Sequence, residues 1–140
     1  MKQEVTTLVI DAENAVVGRL ASYTAKQLLL GKEIAIVNTE KAIITGSPEK
    51  IRDKYLRLRR AGGATIKGPF FPSNPERILK RIIKGMLPMR KGRGKPVLHK
   101  VKCYTGIPAE FKESKLIKSN ISEPRLKSLT LKQLSQKLKK

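Results

Sequence analysis

Two short apolar runs with a helical period between them dictate most of what this chain can become. Thr7-Leu8-Val9-Ile10-Asp11 and Ile34-Ala35-Ile36-Val37-Asn38 are β-branched, continuous and of strand length. Between them Val17, Leu20, Ala21, Thr24, Ala25 and Leu28 recur at helical spacing, and Gly31 stands where a helix stops in the left-handed conformation. Strand, amphipathic helix, strand is a βαβ unit, which calls for parallel strands covered by helices and places the chain in the α/β class. Ala42 to Thr45, ending at Gly46, reads as a further short strand or a turn.

Beyond this unit the helices become two-faced. Ser47-Pro48-Glu49 and Asn74-Pro75-Glu76 each supply an N-cap, a proline at the first helical position and an acid near the positive end of the dipole. The first predicted helix carries Ile51, Tyr55 and Leu58 on one face and Lys50, Lys54 and Arg57 on another. The second carries an apolar stripe of Ile78, Leu79, Ile82, Ile83 and Met86, opposed by Arg77, Lys80, Arg81 and Lys84, with Gly85 and Pro88 placing its end. Residues 60 to 73 hold three glycines and two prolines and are expected to form an irregular loop or hairpin. Arg90-Lys91-Gly92-Arg93-Gly94-Lys95 is expected to be a flexible basic loop outside the core, followed by a helical turn from about Pro96 and a strand near Val101 to Tyr104. From Glu110 onward the chain is polar and basic until Leu126, Leu129, Leu131, Leu134 and Leu138, with Thr130 placed to cap a last short helix. This stretch reads as an extended arm that orders on a partner. The expected organisation is therefore one α/β domain over 1–111, with a neutral half (1–46) and a basic half (47–111), and a basic tail over 112–140.

The placement of charge narrows the function. The first 46 residues carry five basic and five acidic side chains, so the whole formal net charge of +20 lies in the remainder. Such a surplus calls for a polyanionic partner. No apolar run approaches the roughly 20 residues of a membrane span, and no secretory signal opens the chain, which favours nucleic acid over membrane and a cytoplasmic setting. Cys103 is the only cysteine, so no internal disulfide is possible, and its simplest role is that of a small buried side chain.

Catalysis finds little support. There is one histidine, His99, with no ligand-spaced Cys or His around it and no nucleophile elbow framing a serine. The turn after the first strand reads Asp11-Ala12-Glu13-Asn14-Ala15, which lacks the glycine cradle of a nucleotide site and would repel a phosphate. Neither a metal nor a cofactor is expected. The basic residues, by contrast, are numerous and spread over several elements rather than one groove-reading helix, which suits folded RNA better than DNA. Arg grips phosphate through paired hydrogen bonds and Lys acts as a compact charge. Phe70 and Phe71 could stack on unpaired bases or, equally, staple their loop to the domain.

The segment VIDAENAVVGRLASYTAKQLLLGKEIAIVNTEKAIITG (residues 9–46), followed in order by KGPFFP (67–72), RIIKGMLP (81–88) and KVKCYTGIP (100–108), resembles the large-subunit ribosomal protein L-thirteen family. The GPFFP element and compact tail look like its archaeal and eukaryotic branch. The resemblance implies a three-layer α/β/α fold around a four-stranded, mainly parallel sheet, no cofactor, and a structural protein that binds large-subunit ribosomal RNA (rRNA) early in assembly. Its partners would be rRNA and neighbouring large-subunit proteins, ribosomal protein three among them, rather than a second copy of itself. Together, charge placement and resemblance nominate Arg52, Arg57, Arg59, Arg60, Lys67 and Phe70 before and within GPFFP as rRNA-binding residues. They also nominate Arg77, Lys80, Arg81 and Lys84 leading into GMLP, and Arg90, Lys91, Arg93 and Lys95 after it. Pro96 departs from the family, which usually has a helix-favouring residue there. An enzyme acting on an acidic or nucleotide substrate and a free-standing RNA or DNA regulator outside the ribosome are the rival readings. Sedimentation with or apart from large subunits separates them from a ribosomal role.

Overall fold

The computed structural model describes residues 7–61, 71–118 and 127–139. The two apolar runs form β1 (Thr7–Asp11) and β2 (Glu33–Val37), which pair in parallel in register from Thr7 opposite Glu33 to Asp11 opposite Val37. The helix between them, α1 (Val17–Leu29), buries the six residues the period selected. It ends in a Schellman turn: Gly31 N–H donates to the Leu28 carbonyl at 3.0 Å and Lys32 N–H to that of Gln27 at 3.3 Å. Gly31 has φ +92°, a conformation that costs a side chain dearly and a glycine little.

The main sheet has four strands in the order β4-β2-β1-β5, all parallel, with β4 (Val101–Cys103) against β2 and β5 (Leu116–Lys118) against β1. The α/β class and the four-stranded parallel sheet flanked by helices are as expected. Pleating sends Ile10, Ile34 and Ile36 to one face, where α1 and α3 (Pro75–Gly85) pack side by side. Val9, Ala35 and Val37 point the other way and are covered by Tyr104, Phe111 and Leu116. The layer on that face is thin, made by the segment leading into a single 3-10 turn at Ala109–Phe111.

One open alternative is decided and four expectations change. Ile43–Thr45 is a strand, β3, but it joins a second, two-stranded antiparallel sheet with β6 (Ser128–Thr130). Ser47 and Asn74 stand at the N-caps of α2 (Pro48–Arg60) and α3 with extended backbones, but their side chains make no capping hydrogen bond. Met86 leaves the α3 stripe and is exposed, because the helix stops at Gly85 and the next turn swings Leu87 inward instead. The basic loop is a tight turn: Lys91 N–H donates to the Pro88 carbonyl and Gly94 N–H to that of Lys91, each at 3.1 Å, and Gly94 is buried. Its helix, α4 (Gly94–Leu98), accordingly starts before Pro96, which fits in the first turn where its missing N–H is not needed.

The last change is the largest. The stretch after 112 is not an extended arm where it is described: β5 extends the main sheet, β6 pairs with β3, and α5 (Leu131–Lys139) sets Leu131, Leu134 and Leu138 into the main core. Thr130 does cap α5, through a reciprocal box in which Gln133 N–H donates to Thr130 Oγ1 and Thr130 N–H to Gln133 Oε1, both at 3.2 Å.

Candidate nucleic-acid interface

At the carboxyl ends of β1 and β2, where α/β proteins commonly hold ligands, the polar groups are taken up by the fold itself. Asp11 is buried and its carboxylate accepts from Glu13 N–H and from Asn38 Nδ2, both at 3.0 Å. Asn38, at φ +56°, starts a 3-10 turn, and Thr39 Oγ1 donates to the Tyr104 carbonyl at 3.0 Å. No three His, Cys, Asp or Glu side chains among the described residues are placed to hold a metal ion. Burial pushes the Cys103 thiol up to about 12, with nearby Lys80 lowering and Glu76 raising it, so at neutral pH it is a protonated packing group.

The candidate residues divide into two groups and several outliers. On α2, Arg57 and Arg60 stand exposed beside a shallow cavity that Asp53, Leu56 and Ala61 also line, and Asp53 sits 3.4 Å from the Arg52 guanidinium. Part of this basic group is thus answered within α2, by an exposed pair of small energetic value. Arg59 is engaged differently: its Nη1 donates to the Leu138 carbonyl in the last turn of α5. That carbonyl lies beyond the reach of the intrahelical ladder, so Arg59 caps the end of α5 with one of its guanidinium donors.

The second group is built on α3 and the turn after it. Arg81, Lys84, Arg90 and Lys91 surround one open cleft of about 560 Å³, floored by Leu87, Pro88 and Met89. No acidic side chain among the described residues lines it. Arg81 is held by an aromatic ladder: its guanidinium carbon lies 4.7 Å above the Phe71 ring, which meets the Tyr55 ring edge-on at 5.2 Å. The ladder ties α2, the chain entering α3, and the cleft rim into one unit. Phe71 is therefore a staple of the domain, whereas Phe70 and Lys67 lie outside the described residues.

The outliers sit elsewhere. Arg77 is exposed in the first turn of α3, beyond Glu76, whose carboxylate accepts from Thr105 Oγ1. Lys80 is half-buried, and Arg93 and Lys95 are exposed around the start of α4. The sequence reading missed the Phe71 ladder, the Arg59 cap and the apolar floor of the cleft. The first two join residues that no helical or strand period connects. The third was visible as Leu87-Pro88-Met89 between two basic runs.

A family model described as Ribosomal protein L13 matches residues 5–110. The chain belongs to the ribosomal protein L13 family. It is 46% identical over 135 residues to the large ribosomal subunit protein uL13 of Methanosarcina barkeri, covering 93% of this chain and 96% of that protein. Against the uL13 of Methanopyrus kandleri the identity is 41%, over 93% of this chain and 85% of the other. With that of Methanococcus maripaludis it is 51% over a shorter match, 72% of this chain and 76% of the relative. These L13 relatives are archaeal, in line with the branch that GPFFP and the compact tail suggested. The first two matches run through 93% of this chain and so extend beyond the four motifs.

Proposed function

We propose that the chain is a structural constituent of the large ribosomal subunit in the cytoplasm, that it binds rRNA through the basic side of its fold, and that it joins the particle early in assembly. Family membership supports the ribosomal role. The observation that carries the rRNA reading is the cleft between α3 and its following turn, where the exposed Lys84, Arg90 and Lys91 gather with no acid among the described lining residues. Like charges so gathered repel one another unless a polyanion neutralises them, and each neutralised phosphate releases counterions. The neutral βαβ half then acts as the platform: its apolar stripe packs with α3 and α5 into one core and holds the basic elements in fixed relative positions. Ribosomal protein three is a proposed neighbour, testable by cross-linking within assembled subunits.

The decisive test is the salt dependence of binding to large-subunit rRNA. Neutralising the five exposed residues Arg77, Lys84, Arg90, Lys91 and Arg93 to Gln should flatten the logarithmic slope by about three to five, at about 0.7 to 0.9 per lost contact. Affinity should fall on the order of a hundredfold or more near physiological salt. Neutralising Arg19 and Lys26, exposed on α1, should change the slope little. Equal slopes for the two variants would sink the reading.

A further inference from the structure

We infer that the cleft at the end of α3 seats a single unpaired rRNA nucleotide, with its base on the apolar floor and its phosphate on the cationic rim. This deepens the rRNA reading and rests on it. Three observations converge. The cleft's volume of about 560 Å³ falls in the range of about 300–1,000 Å³ typical of small-molecule pockets, large enough for a nucleotide and far larger than a phosphate needs. Its floor is apolar, and the Met89 thioether adapts readily to a flat ring. Around it stand Arg81, Lys84, Arg90 and Lys91, the complement of a phosphodiester rather than of a neutral ligand.

The orientation follows from α3 itself. The cleft opens at the carboxyl end of the helix, which bears partial negative charge and so repels a phosphate from the floor. Base inward and phosphate outward is the arrangement that satisfies both ends. Bases are available for such a seat where RNA is single-stranded or bulged.

Gly85 supplies the independent observation. It is the last residue of α3 and lines the cleft, it has no positive φ, and a Cβ built on it meets nothing within 4 Å. Glycine costs about 0.5–1 kcal/mol relative to alanine inside a helix and less at its end, but neither backbone conformation nor packing requires one here. What its missing side chain provides is room in the cleft.

Gly85→Leu in the full chain tests this. The substitution adds no charge, narrows the cleft and favours the helix, so the thermal midpoint should hold or rise while affinity for transcribed large-subunit rRNA falls about tenfold, the scale of one stacked base. The salt slope should stay that of the unaltered chain. Short-wavelength ultraviolet cross-linking of the wild-type complex, read by mass spectrometry, should give a mononucleotide adduct on residues 85–91 that Gly85→Leu lacks. Unchanged affinity in Gly85→Leu, or adducts only elsewhere, would overturn the nucleotide seat while leaving the rRNA reading intact. Loss of cross-links to a neighbouring ribosomal protein with rRNA binding unaltered would overturn it in favour of a protein contact. Absence of salt-dependent rRNA binding by the wild-type chain would bring down both readings together.

Discussion

The first third of the molecule and the part that follows use charge in opposite ways on equally well-packed elements. In residues 7–46 polar and charged groups answer one another: Lys41 pairs with Glu13 at 3.7 Å, Lys32 donates to Gln27 at 2.9 Å, and Glu40 accepts from Gly106 N–H at 3.0 Å. Around the end of α3, Lys84, Arg90 and Lys91 line an open cleft with no acid among its described lining residues. Yet Leu20 on α1 and Ile78, Leu79 and Ile83 on α3 are all fully buried, in one continuous core. A strong charge surplus is therefore compatible with firm packing. An amphipathic helix needs only one stripe for the core, and the opposite face is free to carry whatever the partner requires.

If the basic part is as integral as the neutral part, damage to its core should cost as much. Leu134, on α5, is fully buried in the cluster that holds Leu20 and Ile36. Leu134→Ala should lower stability by about 3 kcal/mol, within the usual 2–5 for a buried leucine, and shift the midpoint of urea unfolding with an unchanged slope. An arm that orders only on its partner would lose nothing in the isolated protein. A shift below about 0.5 kcal/mol would restore the arm and separate the two regions again.

The basic turn offers a sharper version of the same test, because there packing and charge meet in one short segment. A Cβ on Gly94 would lie 2.5 Å from the Pro88 carbonyl oxygen and 2.8 Å from Met89 Cα, both backbone atoms that cannot rotate away. Gly94→Ala must push residues 88–91 aside. A loss of about 2 kcal/mol is expected from such overpacking, together with weaker rRNA binding as Arg90 and Lys91 leave the cleft rim. A flexible loop would absorb the methyl group, and both measurements would then stay at their wild-type values.

The residues themselves explain how far the sequence could be read. The βαβ unit was legible because β1, α1 and β2 are close in the chain and each carries its own period, with Gly31 marking the helix end. The tail was not, since β5 and β6 are three residues each and are strands only because β1 and β3 are there to pair with them. Composition also misled: lysines around Leu131, Leu134 and Leu138 lowered the apolar average of α5, while the spacing of its leucines was that of a core stripe. For the site, the sequence named the cations of the cleft but could not sort them from cations with internal duties. That sorting depends on contacts such as Arg59 on the end of α5 and Arg52 beside Asp53.

Arg59 gives the finest division between the two uses of charge, because it sits in a basic run beside Arg60 and serves the fold. Its guanidinium reaches the Leu138 carbonyl, 79 residues further along, and links α2 to the end of α5. Arg59→Met keeps most of the stem's packing and removes the donor, leaving that terminal carbonyl to water. A loss of about 1 kcal/mol is expected, below the usual range for a hydrogen bond from a charged group because the site is partly exposed. Faster amide exchange should be confined to the last turn of α5. Arg60→Met should do the reverse, leaving stability within about 0.5 kcal/mol and reducing the rRNA salt slope by about 0.7 to 0.9, the share of one phosphate contact. If Arg59→Met instead flattened the slope as Arg60→Met does, with α5 exchange untouched, its bond to Leu138 would be incidental and both arginines would belong to the RNA face.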